Sequence, residues 1–553
     1  MFRSAPAWSI LVLIGTAGLV LTPIVSLTVT ALSGDASVWP RLASHVMPAA
    51  LAETAALLIG VALLAGTMGL GTAWLVTVHR FPGRDALAWL LPLPLAVPTY
   101  ITAYIYVEIL DAAGPVQSAL RGAIGWQSRG EYWFPEIRSL GGCIAVMSFV
   151  LYPYVYLTAR TMFMTQSASM LEVARTLGAS RFQLFRTVAL PLARPALAVG
   201  LALALLEALN DIGAAEHLGV RTLTVSIYTT WLNQGSLPGA AQIACTMLVL
   251  VVGLILLERA GRRSRRYAGA TRRHRPPAPV PLTGFASLAS FVACALPVAL
   301  GFVLPVGFLL SETLRRGLLT QFDADFMRHL ATTVGVAVTA TVAALLLGIV
   351  AVTAARLARR GLTEAMTFVL SLGYALPGTV LALGLLSPLI ATDEILSALT
   401  QGIAGQRVSL FLMGSGVGIV IAYLIRFLPI ATGSLGAGLA RVSPNLEDAA
   451  RMLGASPREL VLRVQLPLLR PTLATAALLV FVDCAKELPA TLLLRPLNTE
   501  TLATLVYGHA ARGSFEDGAL AALAIVVVGL WPAARLTRSA ELPGALPGAR
   551  SAP

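Results

Sequence analysis

Apolar residues fall in twelve long stretches separated by shorter polar segments: Trp8–Leu32, Thr54–Val78, Ala86–Leu110, Leu140–Leu157, Pro195–Leu209, Ala240–Leu257, Ala286–Leu310, Leu330–Ala355, Ala365–Ile390, Ser409–Ala431, Pro471–Ala490 and Gly518–Ala534. A run of about 18 to 25 such residues suffices to cross a bilayer as a helix. The pattern therefore predicts an all-α polytopic membrane protein with about twelve transmembrane helices. Trp8–Leu32 is too long for the core of a secretory signal and eleven further stretches follow, so it is read as an anchor.

The polar punctuation repeats. Leu-Glu-Val-Ala-Arg-Thr-Leu-Gly-Ala-Ser at Leu171–Ser180 is matched by Glu-Asp-Ala-Ala-Arg-Met-Leu-Gly-Ala-Ser at Glu447–Ser456, and Leu-Pro follows in both, at Pro191 and Pro467. Gly178 pairs with Gly454, Pro191 with Pro467 and Arg194 with Arg470, all 276 residues apart. Leu51-Ala52-Glu53-Thr54 resembles Leu330-Ala331-Thr332-Thr333, and Val97-Pro98 matches Leu376-Pro377, both at an offset of 279. Proline removes a helix hydrogen bond and bends the span, so equivalent kinks are predicted in the third and ninth spans. An internal repeat of this length implies two equivalent halves. Each half carries six spans and enters the membrane in the same sense, which sets two parallel six-helix repeats around an axis along the membrane normal.

Each repeated motif reads as a short amphipathic helix. Apolar positions recur at three and four residues (Leu171, Ala174, Leu177). Acidic residues open the motif (Glu172; Glu447 and Asp448), as suits a helix N-terminus. Gly178 and Gly454 then permit a left-handed cap and a sharp reversal. The result is a pair of polar docking helices within a greasy chain.

Charge orients the array. With both termini placed in the cytoplasm, 27 of the 40 basic residues fall in cytoplasmic segments, 12 in outer segments, and Arg426 lies within a span. Basic residues accumulate on the cytoplasmic side, so both motifs face the cytoplasm. The chain divides into a first repeat at 1–257 with its loop at 167–195, a basic, proline-rich cytoplasmic linker at 258–284, and a second repeat at 285–553 with its loop at 440–471. Only 12% of residues are charged and the mean hydropathy is +0.79. The net charge of +13 is concentrated in the linker, suits lipid headgroups and calls for no nucleic acid. Cys143, Cys245, Cys294 and Cys484 stand singly and read as small apolar residues, not as a disulfide or metal framework.

An acidic residue, alanine two positions on, glycine, then Leu-Pro resembles the EAA loop of the permease subunits of binding-protein-dependent ABC importers. The resemblance covers essentially the whole chain, as two type I importer permease units fused head to tail. It implies that the loops, through Glu172, Ala174, Gly178 and Pro191 and through Glu447, Asp448, Ala450, Gly454 and Pro467, form coupling helices that sit in clefts of separate ATPase subunits, two copies in all. Val173 departs from the usual alanine, and Asp448 stands where a glutamate is usual. Glu207-Ala-Leu-Asn-Asp211-Ile-Gly and Asp483-Cys-Ala-Lys-Glu-Leu-Pro resemble the two halves of the iron(III) importer permeases. The resemblance implies a periplasmic binding protein as donor, the bacterial inner membrane as location, and ferric iron as cargo. The same loops serve permeases for thiamine, polyamines or phosphonates. A twelve-span secondary transporter would share the span count but leaves the twin loops unexplained.

No enzyme emerges from the chain itself. A P-loop needs Gly-Lys-Ser/Thr, and the only lysine, Lys486, follows Ala485. The chain is expected to bind no cofactor, ATP and magnesium belonging to the partner. Ionisable residues in or near spans are functional candidates. Glu207 and Asp211 are four apart on one helix, and an offset of 276 gives Asp483 and Glu487. At 1.5 Å per residue Glu207 lies roughly 18 Å and Asp211 roughly 24 Å beyond Pro195, toward the outer side. Four such carboxylates attract a hard cation, which prefers oxygen ligands. Alternatively they end their helices, with Lys486 neutralising its neighbours. Like charges held close repel, so amides at all four positions are expected to leave stability intact. No metal-ligating set is assigned.

Overall fold

The computed structural model describes residues 7–34, 38–165, 180–263, 279–357, 360–404, 410–440, 442–456 and 459–540. Ten helices among them are long and apolar enough to cross a membrane, and an eleventh span is formed if the bent pair Arg84–Ala96 and Thr99–Ile124 is counted as one. The last predicted stretch is the helix Ala519–Ala540. The hydrogen bonding of a helix is internal to the segment, which is why apolar helices are the stable solution in lipid.

The expected kinks are sharper than bends. The third span breaks at Val97-Pro98, the helix Thr99–Leu110 starting immediately after, and the two segments meet at 94°. The ninth divides into Arg360–Ala375 and Gly378–Ala404 at Leu376-Pro377. Both are corrections to spans expected to run through. A proline with a residue ahead of it that resists helical dihedrals stops the hydrogen-bond ladder from both sides.

Other prolines widen a helix without ending it. The π-helical turns Leu42–Val46, Phe185–Ala189, Ala299–Val303 and Leu460–Gln465 each end two residues before a proline, at Pro48, Pro191, Pro305 and Pro467. The missing N–H and the ring clash push the preceding carbonyls outward. Thus Pro191 and Pro467 sit in the first turn of Leu190–Asn210 and Leu466–Ala485.

The duplicated sequence produces duplicated contacts. Thr54 Oγ1 accepts from Leu223 N at 3.0 Å, and Thr333 Oγ1 accepts from Leu502 N at 2.8 Å, the same cap on helices Leu223–Leu232 and Leu502–Ala511. Tyr507 Oη donates to Tyr228 Oη at 3.4 Å; these equivalent residues meet across the pseudo-two-fold axis.

The halves are intertwined. Ala7–Leu32 packs on Ala324–Leu357, Arg360–Ala375 and Gly378–Ala404 of the second half. In return, Gly284–Arg315 packs against Met47–Val78, Thr99–Leu110 and Leu140–Thr165 of the first, where Tyr106 Oη donates to Leu300 O at 2.9 Å. Each of the two large buried clusters draws on both halves. The two-residue strands His79–Arg80 and Val280–Pro281 also pair in parallel, tying the end of the linker to the first half.

Candidate functional site

Helices Leu190–Asn210 and Leu466–Ala485 run inward from the two π turns to the axis, where each ends in a break and a short helix. Asp211 Oδ1 accepts from Ala214 N at 2.7 Å, beginning Gly213–His217. The equivalent Glu487 accepts from Ala490 N at 3.0 Å and Thr491 N at 3.1 Å, beginning Pro489–Leu494. Both are buried. They do end helices, as the alternative reading of the sequence held, and they also face a cavity.

That cavity is lined by all four predicted carboxylates, Glu207, Asp211, Asp483 and Glu487, together with Asn210, Arg426, Lys486, Tyr100, Tyr154 and Tyr374. Arg426 Nη1 donates to Asn210 Oδ1 at 3.0 Å and stands 3.6 Å from Glu487 Oε1. Gly378 N donates to the same Asn210 oxygen at 2.6 Å. Asn210 of the first half is therefore clamped by two groups of the second. Gly378 must lack a side chain here, because a Cβ would stand 2.6 Å from Glu487 Oε1 and 2.7 Å from Arg426 Nη1. Lys486 Nζ pairs with Asp483 Oδ1 at 2.9 Å.

A second, more apolar cavity shares Leu95, Tyr154, Tyr374, Asp483 and Lys486 with the first and continues toward the coupling side along Leu157, Leu203, Pro429 and Leu479. Leu203 and Leu479 are again 276 apart. Tyr154 and Tyr374 both stand in the shared wall. Sequence reasoning missed Asn210, Tyr100, Tyr154, Tyr374 and the role of Arg426. For Arg426 the signal was present, since it was the one arginine inside an apolar stretch, and such a residue is costly without a partner.

The ion pairs correct one expectation. Amides at all four positions would strip Arg426 and Lys486 of their counter-charges, and breaking a buried pair from one side costs about 3–5 kcal/mol. Repulsion among the carboxylates is not the dominant effect, because two cations already stand among them.

Of the first coupling loop, Glu172, Ala174 and Gly178 lie outside the described residues; Pro191 is described above. The second loop forms the helix Pro444–Met452. Gly454 has φ +85°, and Ala455 N donates to Ala450 O at 3.0 Å, closing the helix with the left-handed cap its glycine permits. Ser456 begins the next helical segment with a reciprocal cap on Glu459, whose carboxyl its backbone and hydroxyl donors hold below the usual range. Ser180 and Gln183 make the same reciprocal pair in the first half.

Glu447 points inward. Its Oε1 accepts from Gln465 Nε2 at 2.9 Å and pairs with Arg356 Nη2 at 3.1 Å, while Arg356 Nη1 donates to Leu439 O at 2.7 Å. Asp448 is exposed, as are Leu446, Met452 and Leu453, the last two 89% accessible. The helix is thus pinned to the membrane body by its glutamate and turns an apolar tip outward.

This architecture agrees with known proteins. Residues 65–266 and 344–529 each match the family described as binding-protein-dependent transport system inner membrane component. The Fe(3+)-transport system permease protein FbpB 2 of Haemophilus influenzae is 25% identical over 86% of this chain and 87% of its own length. A probable ABC transporter permease protein, y4fN, of Sinorhizobium fredii is 25% identical over 88% of this chain and 86% of its own. The molybdenum transport system permease protein ModB of Escherichia coli is 28% identical, over 36% of this chain and 87% of its own. The resemblance drawn from the twin loops therefore holds: the protein is a multi-pass inner-membrane ABC importer permease, and it belongs to the family of binding-protein-dependent transport system inner membrane components, with two such units in one chain.

Proposed function

We infer that this permease moves ferric iron, delivered by a periplasmic binding protein, into the cytoplasm at the expense of ATP hydrolysed by two separate ATPase subunits. The carrying observation is the cavity on the axis: four carboxylates face it against two cations. Such a surplus of hard oxygen donors favours a cation and opposes an oxyanion, although molybdenum and sulfate permeases are among the relatives. The iron permease of Haemophilus influenzae, aligned over most of both chains, supports the same choice. Glu207, Asp211, Asp483 and Glu487 form the passage in this reading. The exposed tip of Pro444–Met452, with its counterpart at 167–195, docks the ATPases, which supply the Mg-ATP site this chain lacks. Glu447 contributes by anchoring the coupling helix; Asp448, Ala450 and Gly454 shape the surface presented.

Proteoliposomes holding the permease, its ATPase and its binding protein should accumulate ferric iron in an ATP-dependent manner and leave molybdate and sulfate outside. Oxyanion uptake in place of iron would overturn the cation assignment.

Both termini and the 258–284 linker belong in the cytoplasm in this reading, since that side then holds 27 of the 40 basic residues. Single cysteines introduced near Ser264 and Ser551 should resist an impermeant thiol reagent in intact cells and react in inverted vesicles. The native Cys143, Cys294 and Cys484 are buried, which keeps the background low. Labelling from outside would reverse the topology.

A further inference from the structure

The two cations of the axial cavity differ in how they are held. Arg426 is 6% exposed and fixed on several sides, by Asn210, by Glu487 and by the Phe427 ring, 5.5 Å from its guanidinium carbon. Lys486 caps the end of Leu466–Ala485, and among the described residues its ammonium has one ion-pair partner, Asp483; the lysine stands in the wall shared by the two cavities. Glu207 also acts electrostatically on that ammonium from across the axis. A lysine ammonium is a compact charge on a flexible stem, whereas a guanidinium is a rigid fork.

The pseudo-symmetry sharpens the contrast. At an offset of 276 the position equivalent to Lys486 is Asn210 and that equivalent to Arg426 is Val150, so both cations come from the second half while the carboxylates come equally from both. Asn210 is committed to its clamp. One lysine cation on a flexible stem therefore stands where the two cavities meet, with Tyr154 and Tyr374 in the same wall. Tyr100 Oη, buried and without a hydrogen-bond partner among the described residues, lines the same cavity and offers one more oxygen donor.

We propose that Lys486 is a tethered counter-ion: its ammonium occupies the cation position at the constriction when the passage is empty and yields it when a cation enters. Uncompensated buried carboxylates are costly, and a fixed counter-charge such as Arg426 would exclude the cargo permanently. A swinging ammonium does neither. It lowers the net gain on cation entry from binding to exchange, which keeps the site from becoming a trap. This rests on the carboxylates forming the passage.

The test uses the detergent-purified full chain with Tb³⁺ as a hard trivalent probe, whose emission nearby tyrosines sensitise, alongside ferric uptake by the reconstituted complex. Lys486→Met should bind Tb³⁺ at least about tenfold more tightly than the parent, a modest fraction of the interaction between adjacent charges at this depth. It should also transport iron more slowly. Lys486→Arg, which keeps the positive charge in place, should bind Tb³⁺ no more tightly than the parent. Lys486→Gln serves the same purpose should the methionine variant fail to insert. Unchanged or weakened Tb³⁺ binding in Lys486→Met and Lys486→Gln overturns the tethered counter-ion. The passage itself is judged separately, by Glu207→Gln with Asp211→Asn: undiminished ferric uptake there would remove the carboxylate pathway, whatever Lys486 does.

Discussion

Replacing Gly178 and Gly454 together by valine should abolish coupled uptake while leaving the permease in the membrane. Gly454 has φ +85°, a conformation a β-branched residue adopts only under strain of about 1–3 kcal/mol. Among the described residues no neighbouring atom lies within 4 Å of the position its Cβ would take, so the penalty falls on the backbone of the cap. Relief of that strain reorients the turn between Pro444–Met452 and the segment begun by Ser456. The exposed Met452 and Leu453, immediately before the glycine, then leave the positions from which they are proposed to dock. A loss of 1–3 kcal/mol corresponds to roughly five- to 150-fold weaker engagement at each loop. Measured in proteoliposomes, ATP hydrolysis should lose its dependence on loaded binding protein and iron uptake should fall to background. Full uptake by the double variant would remove the coupling role from both loops.

The second large effect concerns the axial carboxylates. Glu207→Gln with Asp211→Asn should slow ferric uptake by at least about tenfold, with little change in protein level. A unit charge about 6 Å from a carboxylate gains about 3 kcal/mol at an effective dielectric constant near 20, so losing half of that is enough. Neither residue holds a direct ion pair among the described residues, and an asparagine oxygen at position 211 still accepts from Ala214 N, so the cap survives. Asp483→Asn and Glu487→Gln are different in kind. They leave Lys486 and Arg426 without their partners, and reduced yield of inserted protein is expected for them. Comparing the two pairs by uptake per inserted molecule separates passage from folding. Equal uptake by the Glu207–Asp211 variant and the parent would reduce these residues to helix ends.

Much of the molecule was legible in the sequence because lipid simplifies the problem. Apolar length alone identifies a span when the backbone has to satisfy itself, and a glycine or proline acts on its own few residues. The duplicated loops, the reversal at Gly454, the positions of the bends at Pro98 and Pro377 and the pairing of Glu207 with Asp483 all follow from local chemistry and from offsets of 276 and 279. The single arginine in an apolar stretch was visible too, though its partners were not.

Tertiary structure decided what depends on residues far apart in the chain. The helix Ala7–Leu32 packs on the opposite half, because its apolar surface is covered by whichever helices the axis brings near, and nothing in its own sequence names them. Arg426 reaches Asn210 across 216 positions, and Tyr154 shares a cavity wall with Tyr374 from the other half. Glu447 reads in sequence as part of a surface motif, yet it is buried against Arg356 because the π turn before Pro467 folds Gln465 back onto it. Sequence determined the apolar stretches, the repeat and the twin polar loops, since each is set by neighbours along the chain. The balance of charge in the cavity was settled only by folding, since an ion pair depends on distance in space, and the offset that matches the carboxylates leaves their cations unmatched.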